Sequence, residues 1–300
     1  MPEGPEVQTV LNVLEQEIRG AEIREVEVRH PKLAANLPVA EFEQALRGQR
    51  IEGFSRIGKY LVLITTDYDW IIHLRMEGKF YVLPAKPDPA AKHMHALFEL
   101  ADGRCLVYHD VRKFGRMYLY PRQEDLRTLP VFAKVGPDAF SPVTVPEFRQ
   151  RLKKNRAIKL NLLDQDVIAG IGNIYADEIL FASRIHPQTP AKDLTDAQLA
   201  DVLHNTREIL AEAVRKKGTT IRSYTSSLGV QGEFQNQLRV HTKDGSGCPV
   251  CGHEIEKTKV GQRTTYFCPV CQKLPGNETR DESRSGTSQQ VSARQPAEEN

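Results

Sequence analysis

The chain has 300 residues, of which 40% are hydrophobic and 27% are charged, and its formal net charge is +2. A chain of this length can bury two ordinary hydrophobic cores. It contains no apolar run of the ~20 residues that cross a bilayer, so we expect a cytoplasmic protein without a membrane partner. The net charge is too small to identify a nucleic-acid binder by itself.

The first half of the chain begins with a helical pattern and continues with strands. Apolar residues from Val7 to Ile18 recur at helical spacing, which predicts an amphipathic helix over 5–18. Residues 20–122 then alternate β-branched and aromatic runs with turns, including a hairpin about Asp102 and Gly103. This pattern predicts an antiparallel sandwich or barrel.

The second half is helical, beyond a proline- and glycine-marked boundary at 130–145. The predicted helices lie near 146–155, 157–166, 173–184 and 195–217. The last of them is predicted to end at Gly218 as its cap. A glycine turn before Asn173 leaves backbone N–H groups free to hold a phosphate. The segment 148–159 carries six Lys or Arg residues and no acid, which fits either a DNA-binding face or an ordinary charged surface.

Two pairs of cysteines follow the helices. The pairs are Cys248, Cys251, Cys268 and Cys271. Their spacing is C-x2-C, sixteen residues, C-x2-C, which predicts one tetrahedral structural Zn²⁺ on a β-ribbon rather than disulfides. Four thiolates fill the coordination shell, so His253 is predicted to be a surface residue. Cys105 stands in an apolar run and is predicted to be a buried, inert thiol.

The ribbon between the cysteine pairs is basic and aromatic. It carries Lys257, Lys259, Arg263 and Tyr266, a composition that suits a phosphate backbone, with a solvated face as the alternative.

Eight segments, in order and at the expected spacing, resemble the formamidopyrimidine-DNA glycosylase family over residues 2–273. They are PEGPEV, SRIGKYL, HLRMEGKF, KHMH, DVRKFG, GIGNIYADEILFASRIHP, GTTIRSY and GQRTTYFCPVCQ. The resemblance implies an α+β fold: an N-terminal antiparallel β-sandwich flanked by helices, and a C-terminal helix–two-turn–helix domain with a four-cysteine zinc β-ribbon.

The resemblance also implies how the chain divides. The divisions are a catalytic β-sandwich domain at 1–130, an interdomain linker at 131–146, a helix–two-turn–helix DNA-binding domain with a lesion-capping loop at 147–240, the zinc ribbon at 241–273 and a tail at 274–300. The tail has almost no large apolar residues, which predicts disorder.

The implied activity is base-excision repair of double-stranded DNA that contains oxidised purines or abasic sites, by a monomer. In the family, removal of Met1 frees the secondary amine of Pro2, which attacks C1′ of the damaged nucleotide and forms a Schiff base. The resulting iminium keeps its charge and withdraws electrons during β/δ elimination of the strand. Glu3 is implied as the acid that protonates the sugar ring oxygen.

Other catalytic and DNA-binding residues carry over from the family to this chain. Two further catalytic residues are implied: Lys59 beside the lesion phosphate and Pro2, and Arg263 as the clamp on the flanking phosphates. Lys154, Asn173 and His93 are implied as further phosphate contacts.

A wedge that replaces the flipped base is also implied by the resemblance. Its residues are Met76, Arg112 and Phe114. Strand alternation alone instead favours Met76 and Phe114 as sandwich core. The loop at 216–234 corresponds to the one that covers the flipped base.

The chain departs from the family pattern at three positions. Gly4 stands where leucine is usual and matches the sister enzyme endonuclease VIII, which prefers oxidised pyrimidines. Lys217 replaces a frequent glycine, and His241 a frequent tyrosine. The alternatives are therefore an endonuclease VIII-like glycosylase and a non-catalytic zinc-ribbon DNA-binding protein, although the latter has no use for Pro2, Glu3 and Lys59.

Overall fold

The structure is a computed structural model that describes residues 1–219 and 232–274. Residues 220–231 of the expected lesion-covering loop and residues 275–300 of the expected tail lie outside this range. Among the described residues, no helix combines the length and the apolar character needed to cross a membrane.

The N-terminal domain is a sandwich of two four-stranded antiparallel sheets, as predicted. One sheet has the order β1-β6-β7-β5 and the other β2-β3-β4-β8. The strands are β1 (Ile23–Val28), β2 (Ile51–Ile57), β3 (Tyr60–Thr65), β4 (Tyr68–His73), β5 (Lys79–Leu83), β6 (Met94–Leu100), β7 (Cys105–His109) and β8 (Arg116–Pro121). β6 and β7 form the predicted hairpin, in which Gly103 has a φ of 91°.

Two helices flank this sandwich, and the first carries the start of the chain. They are α1 (Gly4–Ile18) and α2 (Val39–Leu46). Pro5 lies in the first turn of α1, where its missing N–H costs no helical hydrogen bond. The apolar stripe of α1, from Val7 to Ile18, is buried in the sandwich core, which confirms the helix predicted from its periodicity.

The C-terminal domain is built on a second apolar core. Its helices are α3 (Val145–Arg151), α4 (Ile158–Leu162), α5 (Asn173–Ala182) and α6 (Asp196–Arg215). The predicted helix at 157–166 is shorter than expected, because the chain leaves α4 after Leu162 and turns through 164–172 to reach α5. Tyr175 and Phe148 are fully buried in this core.

The end of α6 differs from the prediction. The helix ends at Arg215, and Lys217 is the first residue after it in the left-handed conformation, with a φ of 59°; Gly218 follows with a φ of 75°. The N–H of Lys217 donates to Val214 O at 2.9 Å, and that of Gly218 to Ala213 O at 2.7 Å. This is the Schellman arrangement, in which glycine is preferred at the position that Lys217 occupies.

The Lys217→Gly substitution is therefore expected to raise the free energy of unfolding by about 1 kcal/mol, since glycine adopts this conformation without Cβ strain. Urea denaturation with an unchanged m-value would measure the gain. Lys216→Gly, at a φ of −89°, is the matched control and is expected to bring no gain. Equal effects at the two positions would contradict the assignment.

The last described segment is a two-stranded ribbon, as the cysteine spacing predicted. Its strands are β9 (Glu256–Val260) and β10 (Arg263–Phe267). Cys248 and Cys268 pack with Phe181 of α5 and with Val240 and Ile255, so the ribbon shares a small apolar cluster with the helical domain.

Candidate active site and DNA-binding surface

The first residues of the chain lie between the two domains, where three of the expected catalytic groups come together. Pro2, Glu3 and Lys59 are all buried. The charges that act on the amine of Met1 include those of Glu3, Glu6 and Lys59. The chain therefore brings its start, a carboxyl group and an amine into one site.

The carboxylate of Glu3 caps α5, a helix of the other domain. Its Oε2 accepts hydrogen bonds from the N–H groups of Gly172 at 2.8 Å and Tyr175 at 3.4 Å, and its Oε1 accepts from Ile174 at 3.0 Å. A Cβ at Gly172 would lie 2.2 Å from Glu3 Cδ, so only glycine leaves room for this approach. Glu3 therefore binds three of the N–H groups that the glycine turn was predicted to offer to a phosphate.

The same contacts determine the charge states in the site. Burial raises the pKa of Glu3, and the Lys59 charge and the Ile174 N–H oppose that shift. Burial lowers the pKa of the Lys59 amine, against the attraction of Glu3 and Glu6. Burial also lowers the pKa of the chain's terminal amine. Each shift favours a neutral group, which is the form that an acid or an amine nucleophile needs before it reacts.

Glu6 is a buried carboxylate that sequence reasoning missed. Its Oε2 accepts from the Glu3 N–H at 2.9 Å. Its Oε1 accepts from the Tyr175 hydroxyl at 2.6 Å and from the N–H of Thr219 at 2.8 Å. Glu6 thus joins the start of the chain to α5 and to Thr219, which follows α6. Only its position in the PEGPEV motif indicated a role.

The turn that carries Lys59 is fixed by an ion pair to Asp138, in the segment between the sandwich and α3, and this contact was also missed. Both oxygens of Asp138 accept from the Arg56 guanidinium at 2.8 Å, and Oδ2 also accepts from the Gly58 N–H at 2.7 Å. Both side chains are largely buried. This pairing holds the residue before Lys59 in its left-handed conformation, with a φ of 58°.

Packing explains the glycine at position 4. A Cβ at Gly4 would lie 2.7 Å from the ring of Phe140 and 3.2 Å from Gly170 O. The Arg56 guanidinium also stacks on this ring, with its Cζ atom 4.1 Å from the centroid of the Phe140 ring. The aromatic ring therefore fills the space that a larger side chain at position 4 would need, so the departure has a structural cause apart from substrate class.

The expected wedge residues project from two turns of the sandwich. Met76, between β4 and β5, is 36% exposed, and Phe114, between β7 and β8, is 47% exposed. They are therefore not sandwich core, as strand alternation alone had favoured. The Arg112 guanidinium lies over the Phe114 ring at 4.8 Å. Val111, which sequence reasoning missed, is 51% exposed on the same turn.

Both turns pack on the buried side chain of Tyr108. A Cβ would lie 2.2 Å from the Tyr108 hydroxyl at Gly78 and 1.7 Å from it at Gly115. Glycine is thus required in each turn. Asp110 fixes the second turn further, because its Oδ1 accepts from the Arg112 N–H and its Oδ2 from the Gly115 N–H, each at 2.9 Å.

The basic segment at 148–159 is mostly neutralised by acids from elsewhere in the chain. The ion pairs are Arg149 with Asp196, Lys153 and Arg156 with Asp164, and Lys159 with Asp177. Lys154 is exposed and has no ion-pair partner among the described residues. The segment is therefore in large part a structural face, with Lys154 left available to an external anion.

The other expected phosphate contacts lie in different environments. His93 is exposed and has a φ of 64°. Its ring and that of His109 form a T-shaped pair, with the two ring centroids 5.7 Å apart. Arg263 is exposed at the start of β10. Asn173 instead donates from Nδ2 to Thr264 O of the ribbon at 2.9 Å, so one of its amide hydrogens joins α5 to β10.

The four predicted metal ligands converge at the end of the ribbon. The Sγ atoms of Cys248, Cys251, Cys268 and Cys271 all lie within 4.8 Å of one another. A tetrahedral site with Zn–S bonds of about 2.3 Å needs S–S separations of about 3.8 Å, and two of the pairs lie at 3.9 and 3.5 Å. The cluster fits one structural zinc ion.

The remaining thiol and the nearby histidine stay outside this cluster. His253 is exposed, as predicted. Cys105 is fully buried, and burial raises the pKa of its thiol to about 11. Cys105 is therefore protonated and unreactive at neutral pH, also as predicted.

Two features together define the class of zinc-ribbon DNA glycosylases. One is a β-sandwich whose first residues cap a helix of the next domain, and the other is a four-cysteine ribbon that follows. Three family models match the chain: "Formamidopyrimidine-DNA glycosylase N-terminal domain" at residues 1–117, "Formamidopyrimidine-DNA glycosylase H2TH domain" at 135–225 and "Zinc finger found in FPG and IleRS" at 245–274. The chain belongs to the formamidopyrimidine-DNA glycosylase family.

Individual relatives match over nearly their whole length. The chain is 45% identical to a formamidopyrimidine-DNA glycosylase from Bacillus cereus, over 91% of this chain and 99% of that protein. It is also 45% identical to one from Enterococcus faecalis, over 93% and 100%. These matches do not favour the endonuclease VIII alternative.

Solved structures of the Lactococcus lactis enzyme have the same fold. Its complex with DNA that contains an abasic site superposes with a TM-score of 0.81 and 39% identity, over 90% of this chain and 99% of that one. Its complex with DNA that contains N7-benzyl-Fapy-dG gives a TM-score of 0.81 and 39% identity, over 91% and 100%.

Proposed function

We propose that this protein is a bifunctional DNA glycosylase and abasic-site lyase that excises oxidised purines, such as 8-oxoguanine and formamidopyrimidines, from double-stranded DNA. The observation that carries the proposal is the convergence of Pro2, Glu3 and Lys59 at the domain interface, with Glu3 held by three N–H groups of the other domain. A protein that only binds DNA has no use for a buried acid beside a buried amine.

In the proposed reaction, the lone pair of the Pro2 amine attacks C1′ of the damaged nucleotide. The bond between C1′ and the base breaks, and the base leaves with the bonding pair and takes up a proton. Glu3 donates its proton to the ring oxygen as the C1′–O4′ bond opens, which leaves an iminium between Pro2 and C1′. Because burial raises the pKa of Glu3, its acid form persists to a higher pH than that of an exposed glutamate.

Strand cutting then follows from the charge of the iminium. A proton leaves C2′, the electrons move toward the iminium and the 3′ phosphate departs; a second elimination releases the 5′ phosphate. Hydrolysis frees Pro2. Arg263 supplies positive charge to the phosphates that flank the lesion, and Lys59 lies beside the lesion phosphate and Pro2. Lys154, Asn173 and His93 contact further phosphates. Met76, Arg112 and Phe114 fill the space of the extruded base.

Borohydride trapping tests this function directly, because it reduces the iminium to a stable covalent adduct. Duplexes with 8-oxoguanine, an oxidised pyrimidine or no lesion are compared side by side on a denaturing gel. We expect an adduct with the oxidised purine and none with intact DNA. A stronger adduct with the pyrimidine would favour an endonuclease VIII-like specificity, and no adduct with any substrate would favour a binding protein.

A further inference from the structure

A fully buried group of charges joins the helical domain to the zinc ribbon. The side chains of Lys159 on α4 and Asp177 on α5 have no exposed surface, and Lys159 Nζ lies 2.7 Å from Asp177 Oδ1. The other oxygen, Oδ2, lies 2.7 Å from Nδ1 of His241, in the segment that leads to the first cysteine pair. We call Lys159, Asp177 and His241 the buried charge cluster.

The cluster binds the strand that carries Arg263. The Lys159 ammonium donates to Thr264 O at 3.1 Å and to Thr265 Oγ1 at 2.7 Å, in addition to Asp177. These contacts use all three of its donors. Thr264 is the neighbour of Arg263, so the backbone next to that arginine is held from α4.

The segment that leads into the ribbon is held by α5. Glu178, the residue after Asp177, accepts from the N–H groups of Arg239 at 3.0 Å, Val240 at 3.0 Å and His241 at 2.9 Å. α5 therefore contacts the segment before the ribbon directly, through Glu178 and Asp177, and the second strand of the ribbon through Lys159 of α4, which Asp177 binds.

The start of α5 holds the proposed catalytic acid, Glu3. The N–H groups that hold Glu3 belong to Gly172, Ile174 and Tyr175, and Asp177 follows one helical turn after Ile174. One turn of α5 thus separates the acid from the anchor of the ribbon. The relative position of Glu3 and Arg263 depends on this short, internally hydrogen-bonded segment.

Buried ion pairs contribute little to stability compared with apolar side chains of the same volume, because removing two charges from water is costly. Such a pair does, however, fix the relative position of the two segments that it joins. We propose that Asp177 and its partners are positioning residues for Arg263: they fix the ribbon on α5 so that the guanidinium and Glu3 meet the same nucleotide. This inference rests on the proposed function.

The test is the paired substitution Lys159→Met/Asp177→Leu, which removes both charges together and leaves neither ion unpaired. We expect thermal unfolding close to wild type, a KM for lesion DNA raised about tenfold through loss of one charge-assisted phosphate contact, and a smaller change in kcat. Lys86→Met/Glu99→Leu removes a partly exposed pair of the sandwich, 2.9 Å apart, and is the matched control, with an unchanged KM expected.

Repeating the paired substitution in an Arg263→Ala background decides whether it acts through that arginine. We expect no further rise in KM there. A full additional tenfold rise, or a wild-type KM for the pair alone, would overturn the proposal. If the paired variant does not fold, His241→Phe, which removes a single contact of the cluster, enters the same cycle with the same two outcomes.

Failure of the proposed function would look different. In that case the wild-type protein would form no borohydride adduct on DNA with a preformed abasic site. An adduct with the wild-type protein together with additive effects of Arg263 and the cluster would overturn only the positioning role.

Discussion

A protein with one extra residue before Pro2 is expected to bind lesion DNA but to form no covalent adduct and to make no nick. The extra residue turns the proline nitrogen into a tertiary amide, which has no available lone pair for attack on C1′. The affinity for lesion DNA should change little, because the phosphate contacts lie elsewhere in the chain. Borohydride trapping and a gel-shift titration on the same duplex measure the two properties separately.

The control is a cleavable fusion processed in two ways. One protease site leaves Pro2 as the first residue, and the other leaves a glycine before it. Trapping by the first product alone supports a terminal nucleophile. Equal trapping by both products would assign the Schiff base to another amine, such as that of the buried Lys59.

The Glu3→Gln substitution is expected to slow base release by about 10²- to 10⁴-fold, the usual contribution of a positioned general acid. Glutamine has no proton to donate, and its amide nitrogen would face the N–H groups of α5 that the carboxylate now accepts from. Single-turnover measurements on 8-oxoguanine DNA give the rate. On a preformed abasic site, where no glycosidic bond has to break, we expect a much smaller reduction in the rate.

The pH dependence of base release follows from the direction of the Glu3 shift. Burial raises the pKa of Glu3, and the active form is the protonated one. The rate should therefore fall as the pH rises through that raised pKa, and this alkaline limb should be absent from the Glu3→Gln profile. If the Glu3→Gln variant kept both the wild-type rate of base release and the fall of that rate at alkaline pH, another group would be the acid.

The sequence predicted the parts of the fold that depend on local patterns. The stripe from Val7 to Ile18 identified α1, the turn at Gly103 identified a hairpin, and the cysteine spacing identified the ribbon. In each case the residues that determine the element lie within about two dozen positions of one another, so periodicity and spacing carry the necessary information.

Contacts between distant segments were not predictable in the same way. Glu3 and Gly172 are 169 residues apart in the chain, and nothing near either residue indicates that they bind. The cations of 148–159 appear unopposed in sequence, but Asp177 and Asp196 lie well outside that segment. The left-handed conformation of Lys217 at the end of α6 was not predicted, because the glycine that usually marks a helix end stands one position later.

The cap that Glu3 forms on α5 has a consequence for motion. By covalent connection the acid belongs to the sandwich, whereas its hydrogen-bond donors belong to the helical domain. Any hinge movement that parts the two would remove the donors that favour the carboxylate and, at the same time, the burial that raises its pKa. Because burial is the larger of the two effects, the pKa of Glu3 would fall toward its usual value. Bending of the molecule around a duplex and the strength of its acid are therefore linked quantities.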